Sequence, residues 1–196
     1  MKFWTVQSNE VFDIIEKEGI YYPDFNKSRY NDESMKLVYS FLLNSFNIVN
    51  NLSCTGLVFS FVKFGFNVPT IFDDFSDFSS FIKSKSDIVR YMWCSFSKDS
   101  KILEIEIEDN FNPLYIDFND FQILMPKNLE TIKKIEFYKL LGIKVDIGEE
   151  YEPILRDNLE KGIFYKTVKH SCGLIQAHLP CIKRENILSV NPLFTV

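Results

Sequence analysis

The first residues of the chain alternate. Phe3, Thr5 and Gln7 share one face of an extended segment, and Trp4 and Val6 share the other. Ser8 then stands where an N-cap hydroxyl would accept an orphan helix N–H. Val11, Ile14 and Ile15 make an apolar stripe at i, i+3 and i+4. Gly19 suits the left-handed position that ends a helix. The pattern predicts a strand, a tight turn and a helix. A second helix is predicted over 33–49, with Met35, Val38, Tyr39, Leu42, Phe46 and Val49 on one side. "GLVFSFVKF" reads as a buried strand. Phe75, Phe78, Phe81 and Ile82 recur at helical spacing behind an acidic start.

"DIVRYMWCSF" is ambiguous and reads as a strand at its end. "KILEIEIED" is a strand with Leu103, Ile105 and Ile107 inward and Glu104, Glu106 and Glu108 outward. "PLYIDF" is another short strand. Asn119 is placed to cap a short helix through Leu124. "NLETIKKIEFYKLLG" is a helix capped by Asn128 and stopped at Gly142, and "EPILRDNLEKG" is a shorter one. Strands at "GLIQAHL" and "NILSV" close the chain. No repeat or low-complexity linker appears, and 83–87 and 148–153 are the most loop-like stretches. The expectation is one α+β domain over 1–196, a mixed or antiparallel sheet with flanking helices. Its first strand, apolar on both faces, is expected to be central and beside the strand that carries Gln176.

Composition narrows the setting. The 196 residues are 46% hydrophobic and 25% charged, which is globular composition and argues against disorder. A net charge of −5 predicts no broad nucleic-acid surface. The 20 phenylalanines fit an AT-rich genome better than a function of their own. No segment of signal-peptide pattern or membrane-spanning length is read, so no membrane association is expected. Four cysteines without a dense framework suit a reducing cytoplasm.

Candidate chemistry is sparse. Glu104, Glu106 and Glu108 could supply an acid–base pair or a metal site, yet they read as the solvated face of an amphipathic strand. His170, Cys172, His178 and Cys181 are spaced H-x-C-x5-H-x2-C, which matches no common zinc finger, so no metal is predicted. With 7 glycines there is no G-x-G-x-x-G and no P-loop. Gln7 and Gln176 remain. A glutamine in a core must place two donors and an acceptor, so each reads either as an outward amide or as a residue kept for a ligand.

"FWTVQSNEVFDIIEKEGIYYPDF" resembles the opening of an uncharacterised bacterial family, domain of unknown function 3841, which begins with a W-T-I-Q strand, a helix and a glycine stop. "ILEIEIEDNFNPLYIDFNDF" is similar to that family's central segment, and "GLIQAHLPCIKRENILSV" to its closing strand. "LVFSF" stands where the family carries a W-A-W strand, a departure. At greater distance the layout resembles ADP-ribosyltransferase-like folds, which open on a strand with a key polar residue and close on a strand bearing a catalytic Glu. On that pattern Thr5 takes the place of Arg or His, and Gln176 that of the Glu. The resemblance implies NAD or another nucleotide as ligand. It places Gln176 at the catalytic position and Thr5 and Gln7 facing the ligand, with Trp4 packing beneath; Tyr39 and Phe59 are assigned to one wall of the site from their position in the chain alone. An amide there keeps the hydrogen bond but not the charge, which implies weak or altered transfer. Two other readings stand beside this one. One is a non-enzymatic interaction or inhibitor module from a bacterial or mobile-element genome, with a protein partner. The other is a metal hydrolase using the Glu104/Glu106 face.

Overall fold

The computed structural model describes residues 1–28, 33–65, 68–85, 87–108, 112–118, 163–164 and 173–196. The helices expected from Asn119 onward, at Asn128–Gly142 and in "EPILRDNLEKG", lie outside them.

β1 (Lys2–Ser8) leads into α1 (Asn9–Glu18), with the Ser8 side chain accepting from the Val11 N–H and Gly19 closing the helix at φ 79°. β2 (Ile20–Tyr21) and a 3-10 turn at Phe25–Lys27 precede α2 (Glu33–Asn50). β3 (Val58–Gly65) and β4 (Val68–Thr70) follow, then α3 (Phe75–Lys83) and α4 (Asp87–Cys94). β5 (Ser100–Glu106), β6 (Leu114–Asp117), β7 (Ile163–Phe164), β8 (Leu174–Leu179), β9 (Ile182–Lys183) and β10 (Ile187–Pro192) complete the described order.

Eight strands form one sheet, ordered β10-β5-β1-β3-β8-β6-β7, with β4 on β3. Its pairs are antiparallel except β6–β7, so the fold is α+β with a mostly antiparallel sheet. β1 is interior to the sheet, as expected, but it does not lie beside the Gln176 strand, because β3 runs between them. The reading of "DIVRYMWCSF" as a strand at its end is also corrected. The segment is helical through Cys94, since Val89 and Trp93, four apart, are buried while Arg90, Tyr91 and Cys94 are exposed.

Three apolar clusters hold the sheet. Phe3, Leu103, Ile105 and Ile175 pack with Ile15 of α1 on one face. Trp4, Phe61, Ile102 and Leu174 pack with α3 and α4 on the other. Phe25, Tyr39, Leu42, Phe46 and Leu114 form a third cluster under α2. Of the glutamates expected to face outward, Glu106 and Glu108 are exposed. Glu104 instead lies opposite Trp4 in the ladder, on the same face, with its side chain 13% exposed, and binds Lys2 Nζ at 3.3 Å and the Ser189 hydroxyl at 2.9 Å.

Candidate functional site

The sheet opens at its middle. β1 and β5 stay in register from Lys2↔Glu106 to Ser8↔Ser100, and β3 and β8 from Val58↔Leu179 to Lys63↔Leu174. Between β1 and β3 the register holds at one position, Trp4↔Phe61. Beyond it the end of β1 and the start of β3 part. Backbone groups that leave a ladder need other partners. One is supplied by Thr5, whose hydroxyl donates to the Phe59 carbonyl at 2.7 Å. Gln7 Nε2 in turn donates to Thr5 Oγ1 at 2.7 Å.

A cavity of about 380 Å³ occupies this opening. Val6 and Gln7 line it from β1, Val58, Phe59 and Phe61 from β3, and Gln176 from β8. Tyr39 of α2, Met92 and Phe96 at the end of α4, and Phe118 close further sides. The segment Pro23–Ser28 borders it as a strap. Asp24 caps the turn in that strap by accepting from the Asn26 N–H at 2.9 Å. The strap is fastened to the loop before β3 by Phe25 N–H to Thr55 O at 2.9 Å and Thr55 Oγ1 to Pro23 O at 3.2 Å. The fit needs a glycine, because a Cβ on Gly56 would lie 2.6 Å from Pro23 O.

Gln7, Tyr39, Phe59 and Gln176 therefore meet at one cavity. Thr5 does not line it. It is fully buried and acts one bond behind, holding Gln7 and bridging to β3. Gln7 and Gln176 come from opposite sheet faces: Gln7 shares the Phe3 side, whereas Gln176 pairs across β3 with Phe61, on the Trp4 side. They share a cavity only because the sheet is split between them. Trp4 packs, stacked on Phe78 with ring centroids 5.0 Å apart.

Gln176 is 5% exposed, and its side-chain Oε1 is buried without a hydrogen-bond partner. His178, two residues on, is fully buried on the same face. Its Nδ1 lies 3.0 Å from the Leu114 carbonyl, so Nδ1 carries the proton and Nε2 is left as an unpaired acceptor. Burial pushes its pKa down to about 4, against the smaller raising effect of the Leu114 bond. The ring is thus neutral at neutral pH.

Among the described residues no three His, Cys, Asp or Glu side chains converge as a metal site, and His170 and Cys172 lie outside those residues. No described helix is long and apolar enough to cross a membrane. Asp24, Lys27, Met92, Phe96 and Phe118 carried no sequence signal for the cavity, since long-range packing alone brings them there. The spacing groups His178 with the cysteines, whereas its environment is apolar and aromatic, with Phe59 edge-on at 5.0 Å.

No protein-family model matches this sequence, and no curated protein or solved structure matches it significantly.

Proposed function

We propose that this chain is a nucleotide-binding protein of ADP-ribosyltransferase-like layout, with NAD as its leading ligand and weak or altered transfer activity. One observation carries the reading: Gln176, whose Oε1 is buried without a hydrogen bond, is among the residues lining a cavity of about 380 Å³ at the opening of the sheet. Ligand pockets fall at roughly 300–1,000 Å³, are mostly apolar and hold a few placed polar groups, as this one does. An unpaired buried polar group costs roughly 1–3 kcal/mol, a cost a bound ligand can reverse.

The chemistry favours binding over turnover. Cleavage of the nicotinamide–ribose bond develops positive charge, which a carboxylate would stabilise electrostatically. Gln176 offers a hydrogen bond and no charge. Lys27, on the strap, is the one cation among the described lining residues, so these residues offer a pyrophosphate little neutralisation. The resemblance to family 3841 and to the transferase layout rests on the motifs quoted above.

Calorimetric titration of the full chain with NAD tests this. Modest binding is expected, weakened by both Gln176→Ala and Gln7→Ala. No heat at millimolar NAD, nicotinamide or other nucleotides would overturn it and leave the interaction-module reading. Binding untouched by both substitutions would move the site elsewhere.

A further inference from the structure

We propose that Thr5 is a positioning residue: it locks the Gln7 carboxamide so that its carbonyl oxygen is left for the cavity, and the β1 side of the site therefore takes a hydroxyl or amino donor of the ligand. This rests on the nucleotide-binding reading above and adds which chemistry the β1 side selects and what enforces it.

The lock begins at the split in the sheet. Trp4↔Phe61, continued in register, would set Val6 against Phe59. The strands part there instead, and the Thr5 hydroxyl supplies the Phe59 carbonyl with a donor at 2.7 Å. A carbonyl only accepts and a hydroxyl has one hydrogen, so that hydrogen is spent. Thr5 Oγ1 can then only accept from Gln7, at 2.7 Å, so the group facing it must be the NH2. Thr5 is fully buried, so water does not compete for either bond. Turning the amide over would set Gln7 Oε1 against Thr5 Oγ1, lone pair to lone pair. Gln7 is thus left with one N–H hydrogen and a carbonyl oxygen. That oxygen makes no hydrogen bond among the described residues and, unlike Gln176 Oε1, is not sealed in the core.

Other lining residues share the bias. Tyr39 has spent its hydroxyl hydrogen on the Leu57 carbonyl at 3.0 Å. Asp24 brings a carboxylate, whose Oδ1 already accepts from the Asn26 N–H. A phosphate or carboxylate of the ligand, which only accepts, would meet Gln7 Oε1 and Asp24 with like polarity. A hydroxyl or amino group meets either of them with a hydrogen.

Nitrogen-15 NMR of the full chain reads the lock without ligand. The Gln7 side-chain NH2 signals, identified by their absence in Gln7→Ala, should exchange with water more slowly than those of an exposed glutamine. Thr5→Ser should keep that protection, and Thr5→Val, isosteric but without the hydroxyl, should lose it. Calorimetry with NAD reads the consequence. Thr5→Val and Gln7→Ala should each weaken binding by roughly threefold to tenfold, the worth of one hydrogen bond. The double variant should be no weaker than Gln7→Ala alone, and Thr5→Ser should bind as the natural chain does. NAD analogues that each lack one donor (the adenine amino group, the carboxamide NH2 or one ribose hydroxyl) name the ligand group. Its deletion should cost a similar factor in the natural chain and nothing more in Gln7→Ala. A Gln7 amide that exchanges freely in the natural chain, effects that multiply in the double variant, or deletions that cost the same with and without Gln7 would overturn the proposal. If NAD still binds, the nucleotide reading stands and only the lock falls. A protected amide in a chain that binds no NAD would overturn the ligand half of the proposal and the nucleotide reading with it. Should Thr5→Val not fold, amide exchange in the natural chain and the analogue comparison still decide.

Discussion

His178 shows what burial does to one residue. Its imidazole resists protonation down to about pH 4, whereas in the unfolded chain it protonates near its ordinary 6.5. Below that value the unfolded state binds a proton that the folded state refuses, so stability falls as pH falls. The loss begins near pH 6.5, levels off near pH 4, and amounts to roughly 3 kcal/mol. Asp77, held below its ordinary 3.8 chiefly by the hydrogen bond from Lys63, contributes below this window. Urea unfolding between pH 7 and 4 should show the decline, and His178→Gln should flatten it. An unchanged slope in the variant would assign the acid sensitivity to other groups. Little of this was legible in the sequence. A period-2 pattern places Gln176 and His178 on one strand face, but not whether that face meets solvent, a helix or a cavity. Gln7 was the harder case. Strand alternation puts it with Phe3, and only the split between β1 and β3 lets it share a space with Gln176.

At the scale of elements, legibility followed the strength of local signals. β1 and α1 form where alternation, the Ser8 cap and Gly19 agree, so neighbouring residues alone define them. β2 and β9 are two residues each and exist because they pair with each other, Ile20 with Lys183 and Tyr21 with Ile182. No local pattern announces such a pair. α4 has no decisive local signal because "VRYMW" suits either period, and the packing of Val89 and Trp93 decides it. α3 depends on a visible cap. Asp74 accepts from the Asp77 N–H at 2.8 Å, and Asp77 pairs with Lys63 Nζ of β3 at 2.6 Å. Behind that cap Phe78 and Ile82 are fully buried against Trp4 and Trp93. Asp74→Ala should lower unfolding free energy by about 1 kcal/mol. Phe78→Ala should cost about 3–5 kcal/mol, because it empties the centre of the aromatic cluster. Chemical denaturation of both variants checks the order, and equal losses would mean that the cap does more than hold one helix end.

At the scale of the molecule, the sheet behaves as two laddered halves. β10, β5 and β1 make one, and β3, β8, β6 and β7 the other. Trp4↔Phe61, the Thr5–Phe59 bond and the apolar clusters on both faces join them. A fold selected for stability alone would zip this seam and place leucine at 176. Under the proposed binding function, the unpaired amide there sacrifices stability at a position kept for a ligand. Gln176→Leu removes the unmet polar atoms and adds apolar contact with Phe61 and Ile116, its ladder neighbours. The unliganded variant should therefore be more stable than the natural chain, by roughly 1–3 kcal/mol. Ligand should act in the opposite sense. A nucleotide at one hundred times its Kd stabilises a binding-competent chain by about 2.7 kcal/mol, and a non-binding one not at all. Thermal unfolding of both proteins, with and without saturating NAD, should show the two curves crossing: the variant higher without ligand, the natural chain rising to meet or pass it with ligand. A variant less stable than the natural chain would mean that the Gln176 amide is a structural group, satisfied within the fold, and would remove the reason for assigning it to a ligand.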